Sequence, residues 1–158
     1  MNRTEHLENF RQGFEKLKTA LQQYPRQIFD YKPSAEKWSV REIIIHLADS
    51  EVNGYTRCRK IISEPGSSLM IYDQDSWADK LKYREQDIDN ALDIVNYLRM
   101  QTYDLLKNLP EEIWANHAVH PERGKITLDD WLKIYSEHID VHINQMNRNL
   151  NLWQKSKK

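Results

Sequence analysis

Histidines are the residues of this chain best suited to chemistry, and two of them, His138 and His142, stand four positions apart in a segment with helical periodicity. At that spacing both imidazoles lie on one face of a helix, one turn apart, and can bind the same metal ion. A third histidine, His46, borders the apolar face of another predicted helix, as the pair borders its own. The three side chains can therefore meet where the two helices pack.

Three neutral imidazoles around one divalent ion leave a coordination position open, which is typical of catalytic metal sites. Zn²⁺, Ni²⁺, Cu²⁺ and Fe²⁺ all accept imidazole, so the spacing does not choose among them. The alternative interpretation is that these histidines are hydrogen-bonded at a helix surface without a metal. The other histidines, His6, His117 and His120, are expected to be solvated, the last two in a loop where substrate contact is also open.

Two carboxylates lie within about one helical turn of His46 and could orient its ring. Glu42 precedes the histidine and Asp49 follows it. Glu42 also fits a capping box with Ser39, which competes for the same carboxylate. Because 30% of the residues are charged, a solvated helix face is the simpler interpretation of these neighbours.

Four segments with apolar residues at steps of three and four must position these side chains. They cover residues 7–24, 39–63, 88–109 and 127–150. Each carries one apolar stripe, and a four-helix bundle buries four such stripes most simply. The sequence thus predicts a single domain over residues 1–150 and a polar tail over 151–158.

The connectors between the predicted helices are long, at roughly 15–25 residues, which indicates either a function or a crossover between non-adjacent helices. Two of them, residues 65–84 and 111–126, lack a clear period. The first is expected to hold a loop with a short helix, and the second to be irregular. Substrate specificity is expected to reside in these two segments.

Composition excludes several classes of protein. A net charge of −1 argues against general nucleic-acid binding, which normally needs a basic excess. The single cysteine, Cys58, excludes an intrachain disulfide and a cysteine-cluster metal site, and its place on an apolar helix face indicates packing. No apolar run approaches the roughly 18 residues of a membrane span, and no signal-peptide pattern is present. We therefore expect a cytoplasmic protein with a small-molecule substrate and with neither nucleic-acid nor membrane partners.

Four segments, in order along the chain, resemble the signatures of the DinB/YfiT-like family of metal-dependent enzymes. They are residues 37–51 (from the Lys-Trp-Ser start to beyond His46), 72–77, 124–128 and 135–146 (around the histidine pair). Each match is short, but together they span most of the chain from residue 36 to residue 146. The set is more specific than any one of its members.

The resemblance implies an all-α fold: a four-helix bundle with long crossover connections, often in a homodimer. It also implies a divalent metal ion, Zn²⁺ or Ni²⁺, held by His46, His138 and His142. Family members include S-transferases and isomerases that use low-molecular-weight thiols. The expected activity is therefore metal-assisted activation of water, in a hydrolase, or of such a thiol, in an S-transferase.

Three further residues are candidates for proton handling or for supporting the metal ligands: Glu42, Asp49 and Tyr72. Two alternatives to catalysis stay open at this point. One is a non-catalytic metal-binding bundle with a role in stress response or assembly. The other is a small-molecule-binding protein whose histidines contact the ligand without a metal.

Overall fold

The structure, a computed structural model, describes residues 1–157, and four long α-helices dominate this part of the chain. The long helices are α1 (Arg3–Gln22), α2 (Val40–Ser63), α4 (Ile88–Leu106) and α5 (Leu128–Lys155), and a short helix, α3 (Gln74–Lys80), lies between α2 and α4. Two short strands, β1 (His117–His120) and β2 (Gly124–Thr127), precede α5. The prediction of an all-α four-helix bundle is confirmed, with a small sheet added.

Capping boxes begin the two helices that carry the histidine candidates, as the sequence predicts. At the start of α2, the Ser39 side chain accepts from the backbone N–H of Glu42, and the Ser39 N–H donates to Glu42 Oε2 at 2.7 Å. At the start of α5, Thr127 and Asp130 make the same reciprocal pair. These caps satisfy backbone N–H groups that the first helical turn leaves without partners.

Helix α5 extends further than periodicity indicates. It ends at Lys155 rather than near Leu150, so the first part of the predicted tail, residues 151–158, is helical. The last residue of that predicted tail, Lys158, lies outside the described residues.

The helices are not arranged in chain order around the bundle. Helix α1 packs mainly against α5 and also against α4, whereas α2 packs against α4 and α5. Consecutive long helices α1 and α2 therefore lie at opposite corners, and so do α4 and α5, which confirms the predicted crossover connections. One consequence matters for function: α2 and α5, the two histidine-bearing helices, are neighbours.

The segment 111–126 is more regular than predicted. Strands β1 and β2 pair antiparallel, with His117 opposite Thr127 and His120 opposite Gly124. Val119 also exchanges backbone hydrogen bonds of 2.9 Å with Ser67 and Leu69, which ties this hairpin to the connector after α2. The expectation of a loop at His117 and His120 was wrong, because four-residue strands are too short for an alternating pattern to stand out.

Within residues 1–157 no helix is both long enough and apolar enough to cross a membrane.

The bundle interior is built mainly from aliphatic side chains of the long helices. Ile43 and Leu47 of α2 face Ile139 and Met146 of α5 in one buried cluster. Cys58 is buried as expected, and burial raises the pKa of its thiol to about 12. That thiol therefore stays protonated and packs as an apolar group.

Candidate metal centre

His46 occupies a buried position two turns into α2, with 2% of its surface exposed. The cap at Ser39 sets the start of this helix, and the flanking Ile45 and Leu47 are buried as well. The ring of Trp38 packs against the imidazole, with centroids 4.8 Å apart and planes tilted by 46°. These contacts fix His46 on the side of α2 that faces α5.

His138 and His142 lie on consecutive turns of α5 and point to the same place. Their ring centroids are 4.6 Å apart, and their Nε2 atoms are 3.1 Å apart. The ring of His46 lies 5.5 Å from His138 and 4.8 Å from His142. The structure therefore brings together the three histidines that the sequence singles out.

The His138–His142 pair has the spacing of two ligands on one metal ion, and His46 lies close to both. One ligand nitrogen from each of the three residues lies within 4.8 Å of the others. Two nitrogens bound to the same tetrahedral ion at about 2.0–2.1 Å stand about 3.3 Å apart, close to the separation between the two Nε2 atoms. The donor set consists of imidazoles alone, which suits several divalent ions, among them Zn²⁺, Ni²⁺, Cu²⁺ and Fe²⁺.

Unsatisfied ring nitrogens give an independent indication. Among residues 1–157, Nε2 of His46 and Nδ1 of His138 are buried and have no hydrogen-bond partner. Buried polar atoms in proteins nearly always have a partner, because desolvation without one is unfavourable. A cation bound beside Nε2 of His138 and of His142 would take the lone pair of His46 Nε2 and so provide its missing partner, whereas Nδ1 of His138 lies on the other edge of its ring.

Burial also keeps the three rings in the form that binds metals. Burial, with a smaller contribution from neighbouring His142, lowers the pKa of His46 to about 3. Burial likewise lowers the pKa values of His138 and His142. All three imidazoles are therefore neutral near neutral pH, and each keeps a lone pair for coordination.

Two side chains hold the outer nitrogens of the cluster. The hydroxyl of Tyr72 lies 3.2 Å from Nδ1 of His46, and Oε1 of Gln145 lies 2.9 Å from Nδ1 of His142. A lone pair on Nε2 requires the proton on Nδ1, and both oxygens can accept that proton's hydrogen bond. Tyr72 was a candidate from sequence, whereas Gln145, on the same turn as His142, was not.

The two carboxylate candidates are engaged elsewhere. Glu42 accepts from the Ser39 N–H with one oxygen and from Lys32 Nζ, at 3.1 Å, with the other. Asp49 accepts a short hydrogen bond from the hydroxyl of Tyr83. Neither makes a hydrogen bond to His46 within the described part of the chain, since the helix cap and a distant tyrosine compete for their oxygens.

Two of the three remaining histidines are buried, contrary to expectation. His6 is buried and its Nδ1 lies 2.8 Å from the hydroxyl of Ser136, so it is a packed residue at the α1–α5 contact rather than a solvated one. His120 is buried as well and lines a cavity next to the cluster. The spacing of histidines along the sequence could not predict that His6 and His120 are buried, because burial depends on which helices and strands pack together.

The cavity measures about 470 Å³ and opens onto His46 and His138. Its walls come from α2, from α5 and from both long connectors, so the two segments expected to control specificity do border it. Tyr135 contributes one wall, and its ring stacks on Trp131 at 4.8 Å. A small molecule in this cavity could contact an ion on the three histidines, and sequence reasoning found neither the cavity nor the aromatic wall.

Comparison with known proteins shows which family this chain resembles in sequence. The sequence model of the DinB superfamily matches residues 8–146. A protein of Oceanobacillus iheyensis, named "Putative metal-dependent hydrolase OB0782", is 32% identical over 106 residues, which are 67% of this chain and 61% of that protein. The chain thus matches less than two thirds of that relative's length. "Putative metal-dependent hydrolase YfiT" of Bacillus subtilis is 27% identical over 139 residues, 85% of this chain and 78% of that protein.

Solved structures share the architecture. YfiT from Bacillus subtilis, described as a probable metal-dependent hydrolase with an unusual four-helix bundle topology, aligns with a TM-score of 0.86 at 24% identity, over 94% of this chain and 87% of that one. A mycothiol-dependent maleylpyruvate isomerase aligns with a TM-score of 0.73 at 11% identity, over 92% of this chain and 61% of that one. At these identities the two structures show a common fold.

Proposed function

This chain belongs to the DinB superfamily, and on that premise we propose that it is an enzyme that depends on a divalent metal ion. In this proposal the ligands are His46, His138 and His142. The observation that carries it is the convergence of three neutral imidazoles, with ligand nitrogens within 4.8 Å of one another, beside a cavity of about 470 Å³. The names of the relatives as metal-dependent hydrolases support it.

When bound, a cation such as Zn²⁺ or Ni²⁺ supplies Lewis acidity, which lowers the pKa of a coordinated thiol or water molecule. The protein's own side chains orient the ligands. With the lone pair of His46 on Nε2, its Nδ1–H would donate to the hydroxyl of Tyr72, and Nδ1–H of His142 would donate to Oε1 of Gln145. Burial raises the pKa of Tyr72, so its hydroxyl stays protonated and uncharged at neutral pH.

We favour a low-molecular-weight thiol over water as the nucleophile. Activation of water usually relies on a nearby base, and Glu42 and Asp49 are both occupied by other hydrogen bonds. A thiol needs less assistance, since its ordinary pKa of about 8.5 lies far below that of water. The reaction would join the thiol sulfur to an electrophilic carbon, the leaving group departing with the bonding electron pair and the thiol proton passing to solvent.

Hydrolysis is the second candidate, and the names of the relatives favour it. Of the three candidates Glu42, Asp49 and Tyr72, only Tyr72 contacts a histidine of the cluster in the described residues. In either reaction we propose that it orients the imidazole of His46. Glu42 and Asp49 take supporting roles in this proposal: one caps α2, and the other holds Tyr83.

Metal analysis of protein purified without a histidine tag tests the ligands. The wild type is expected to contain a divalent ion that His138→Ala loses. His117→Ala is the matched control, because that histidine lies on β1 and outside the cluster. Metal content unchanged in His138→Ala would overturn the ligand assignment.

Two assays on the same samples test the reaction: transfer of a small thiol to an activated aryl chloride, and hydrolysis of an activated phenyl ester. Thiol transfer that His138→Ala abolishes supports the favoured reaction, and ester hydrolysis alone supports the second. Metal-loaded protein that is inactive in both, over broad panels of thiols and esters, would favour the non-catalytic metal-binding alternative.

We also propose that the protein is cytoplasmic and acts on a small molecule, as the sequence predicts. The homodimer also stays a prediction. Ile94, Tyr97 and Met100 on α4 are exposed and offer apolar surface for such a contact. Light scattering on the purified protein measures the oligomeric state directly.

A further inference from the structure

Helix α2 places a cationic side chain in the same cavity as His46. Arg57 lies about three turns further along this helix and on nearly the same face, with Ser50 between them. All three side chains line the cavity. Because helical side chains lean toward the N-terminus of their helix, Arg57 leans toward the histidine end.

The guanidinium of Arg57 has unused hydrogen-bonding capacity. Its Nη2 donates to the carbonyl of Met70 at 2.7 Å, whereas its Nε is buried without a partner among residues 1–157. No ion pair to Arg57 occurs within this part of the chain, although the side chain is only partly exposed. A guanidinium is always charged, and one shielded from water is normally matched by an anion.

Two carboxylate side chains line the cavity, those of Asp73 and Glu122, and neither serves as that anion. Asp73 caps α3, where its Oδ1 accepts from the backbone N–H of Ser76 at 3.0 Å. Glu122 lies in the exposed turn of the β-hairpin. Neither forms an ion pair with Arg57 in the described residues, so the cation faces the cavity uncompensated.

A second donor lines the same cavity. The backbone N–H of Glu122 donates to Nδ1 of His120 at 3.2 Å, which leaves the proton of the neutral ring on Nε2. Burial, with a further contribution from nearby Arg57, lowers the pKa of His120, so the neutral ring prevails. The cavity thus offers a charged fork and a neutral N–H for an oxygen-rich group.

One cavity connects Arg57 with the histidine cluster. Arg57, Tyr135, His46 and His138 all line it, and its volume of about 470 Å³ suits a small molecule. The ring centroid of Tyr135 is 6.0 Å from that of His138. Tyr135 therefore forms the wall beside the histidine end of the cavity that Arg57 shares.

From this arrangement we infer that Arg57 binds a carboxylate of the substrate, whose reacting atom lies at the end of the cavity formed by His46 and His138. The inference rests on the proposed function, which makes that end the reaction centre. A guanidinium matches a carboxylate through two parallel N–H···O bonds and thereby fixes its orientation as well as its position. The substrate class is accordingly a small carboxylate, borne by the thiol or by its co-substrate.

Binding of matched probe pairs tests the inference by calorimetry on zinc-loaded protein. One pair is 3-mercaptopropionate and its amide, and the other is 3-phenylpropionate and its amide, which lacks a thiol. Arg57→Gln is expected to weaken binding of the carboxylate about 10- to 100-fold and to leave the amide unchanged. Arg57→Lys, which keeps the charge without the fork, is expected to fall between the two.

Arg59→Gln is the matched control. The guanidinium of Arg59 lies on the same helix but over the ring of Tyr55, outside the cavity. The Arg59→Gln variant should therefore bind both acids and both amides as the wild type does. Circular dichroism confirms that each variant is folded. Loss confined to 3-mercaptopropionate assigns the carboxylate to the thiol, whereas loss for both acids assigns the subsite to either reactant.

The inference is overturned if Arg57→Gln binds the acids as tightly as the wild type, or if the wild type does not distinguish acid from amide. Failure of the proposed function looks different. In that case the protein holds no metal at the histidines, yet binding of 3-phenylpropionate would still depend on Arg57.

Discussion

Two of the groups of buried polar side chains in this bundle, the Arg99–Glu51 pair and the histidine cluster, differ in how their hydrogen bonds are satisfied. Arg99 of α4 pairs with Glu51 of α2, and its other nitrogens donate to the carbonyls of Phe10 at 3.1–3.2 Å and of Tyr135 at 3.1 Å. This single guanidinium thus bonds to α1, α2 and α5. The histidine cluster, by contrast, leaves Nε2 of His46 without a partner among residues 1–157.

The difference separates a structural polar group from one suited to a ligand. The Arg99 guanidinium is enclosed by acceptors from the three other long helices, so nothing else is needed to balance its charge. The imidazoles of His46 and His142 are buried as well, and one ligand nitrogen from each of the three rings lies within 4.8 Å of the others. Burial alone does not distinguish the two groups, whereas the completeness of their hydrogen bonding does.

Breaking the Arg99–Glu51 pair should have the largest effect on stability. Glu51→Leu leaves the guanidinium buried with a net charge, and we expect the free energy of unfolding to fall by about 3–5 kcal/mol. Urea denaturation measures the change. The double variant Glu51→Leu/Arg99→Met removes both charges and should be more stable than the single variant; equal instability would show that the ion pair itself is not the cause.

At the histidine cluster, metal binding should change the free energy of unfolding more than truncation of a histidine does. Zinc at a hundred times its dissociation constant is expected to raise the free energy of unfolding of the wild type by about 2.7 kcal/mol. His138→Ala should lose that increase, yet differ from the metal-free wild type by no more than about 1 kcal/mol, since Nδ1 of His138 has no partner and its Nε2 contacts only the neighbouring ligand His142. A large loss of stability in the metal-free variant would make the cluster structural.

Gly54 links the two groups, because it lets α5 approach α2 closely. A Cβ at this position would overlap the ring of Tyr135, and the Gly54 carbonyl accepts from Trp131 Nε1 at 3.1 Å. We expect Gly54→Ala to lower the free energy of unfolding by about 2 kcal/mol through overpacking. The substitution should also weaken zinc binding, because Tyr135 lies one turn from His138. Calorimetry with zinc measures this affinity. An unchanged affinity would show that Tyr135 can move without displacing the histidine ligands.

Tyr72→Phe should have the smallest effect of the four. It removes the oxygen that faces Nδ1 of His46, and loss of such an orienting partner is expected to weaken metal binding about tenfold, or about 1.4 kcal/mol. Competition with a chromogenic chelator measures the affinity. Tyr31→Phe is a suitable control, since Tyr31 lies outside the cavity lining.

Local patterns predicted much of the fold because local interactions govern it. The apolar steps and the capping residues Ser39 and Thr127 located the starts of α2 and α5. The hairpin escaped detection, since its strands are four residues long and are stabilised by pairing with residues near Ser67. Short strands carry too few residues for a period to appear.

The site was predictable in part for a similar reason. A spacing of four on one helix brings His138 and His142 together whatever surrounds them. Glu42 and Asp49 had comparable spacing to His46, but Ser39, Lys32 and Tyr83 hold their oxygens instead. Competition among partners depends on distant elements, which spacing along one helix does not contain.

The amino-acid sequence by itself determined the four helices, their caps and the identity of the histidines, because each depends on residues within a few turns of one another. Tertiary structure alone decided that α2 and α5 are neighbours, that Tyr72 rather than a carboxylate faces His46, and that Arg57 shares the cavity. Those outcomes follow from the packing of segments far apart in the chain, where the order of helices around the core selects which side chains meet.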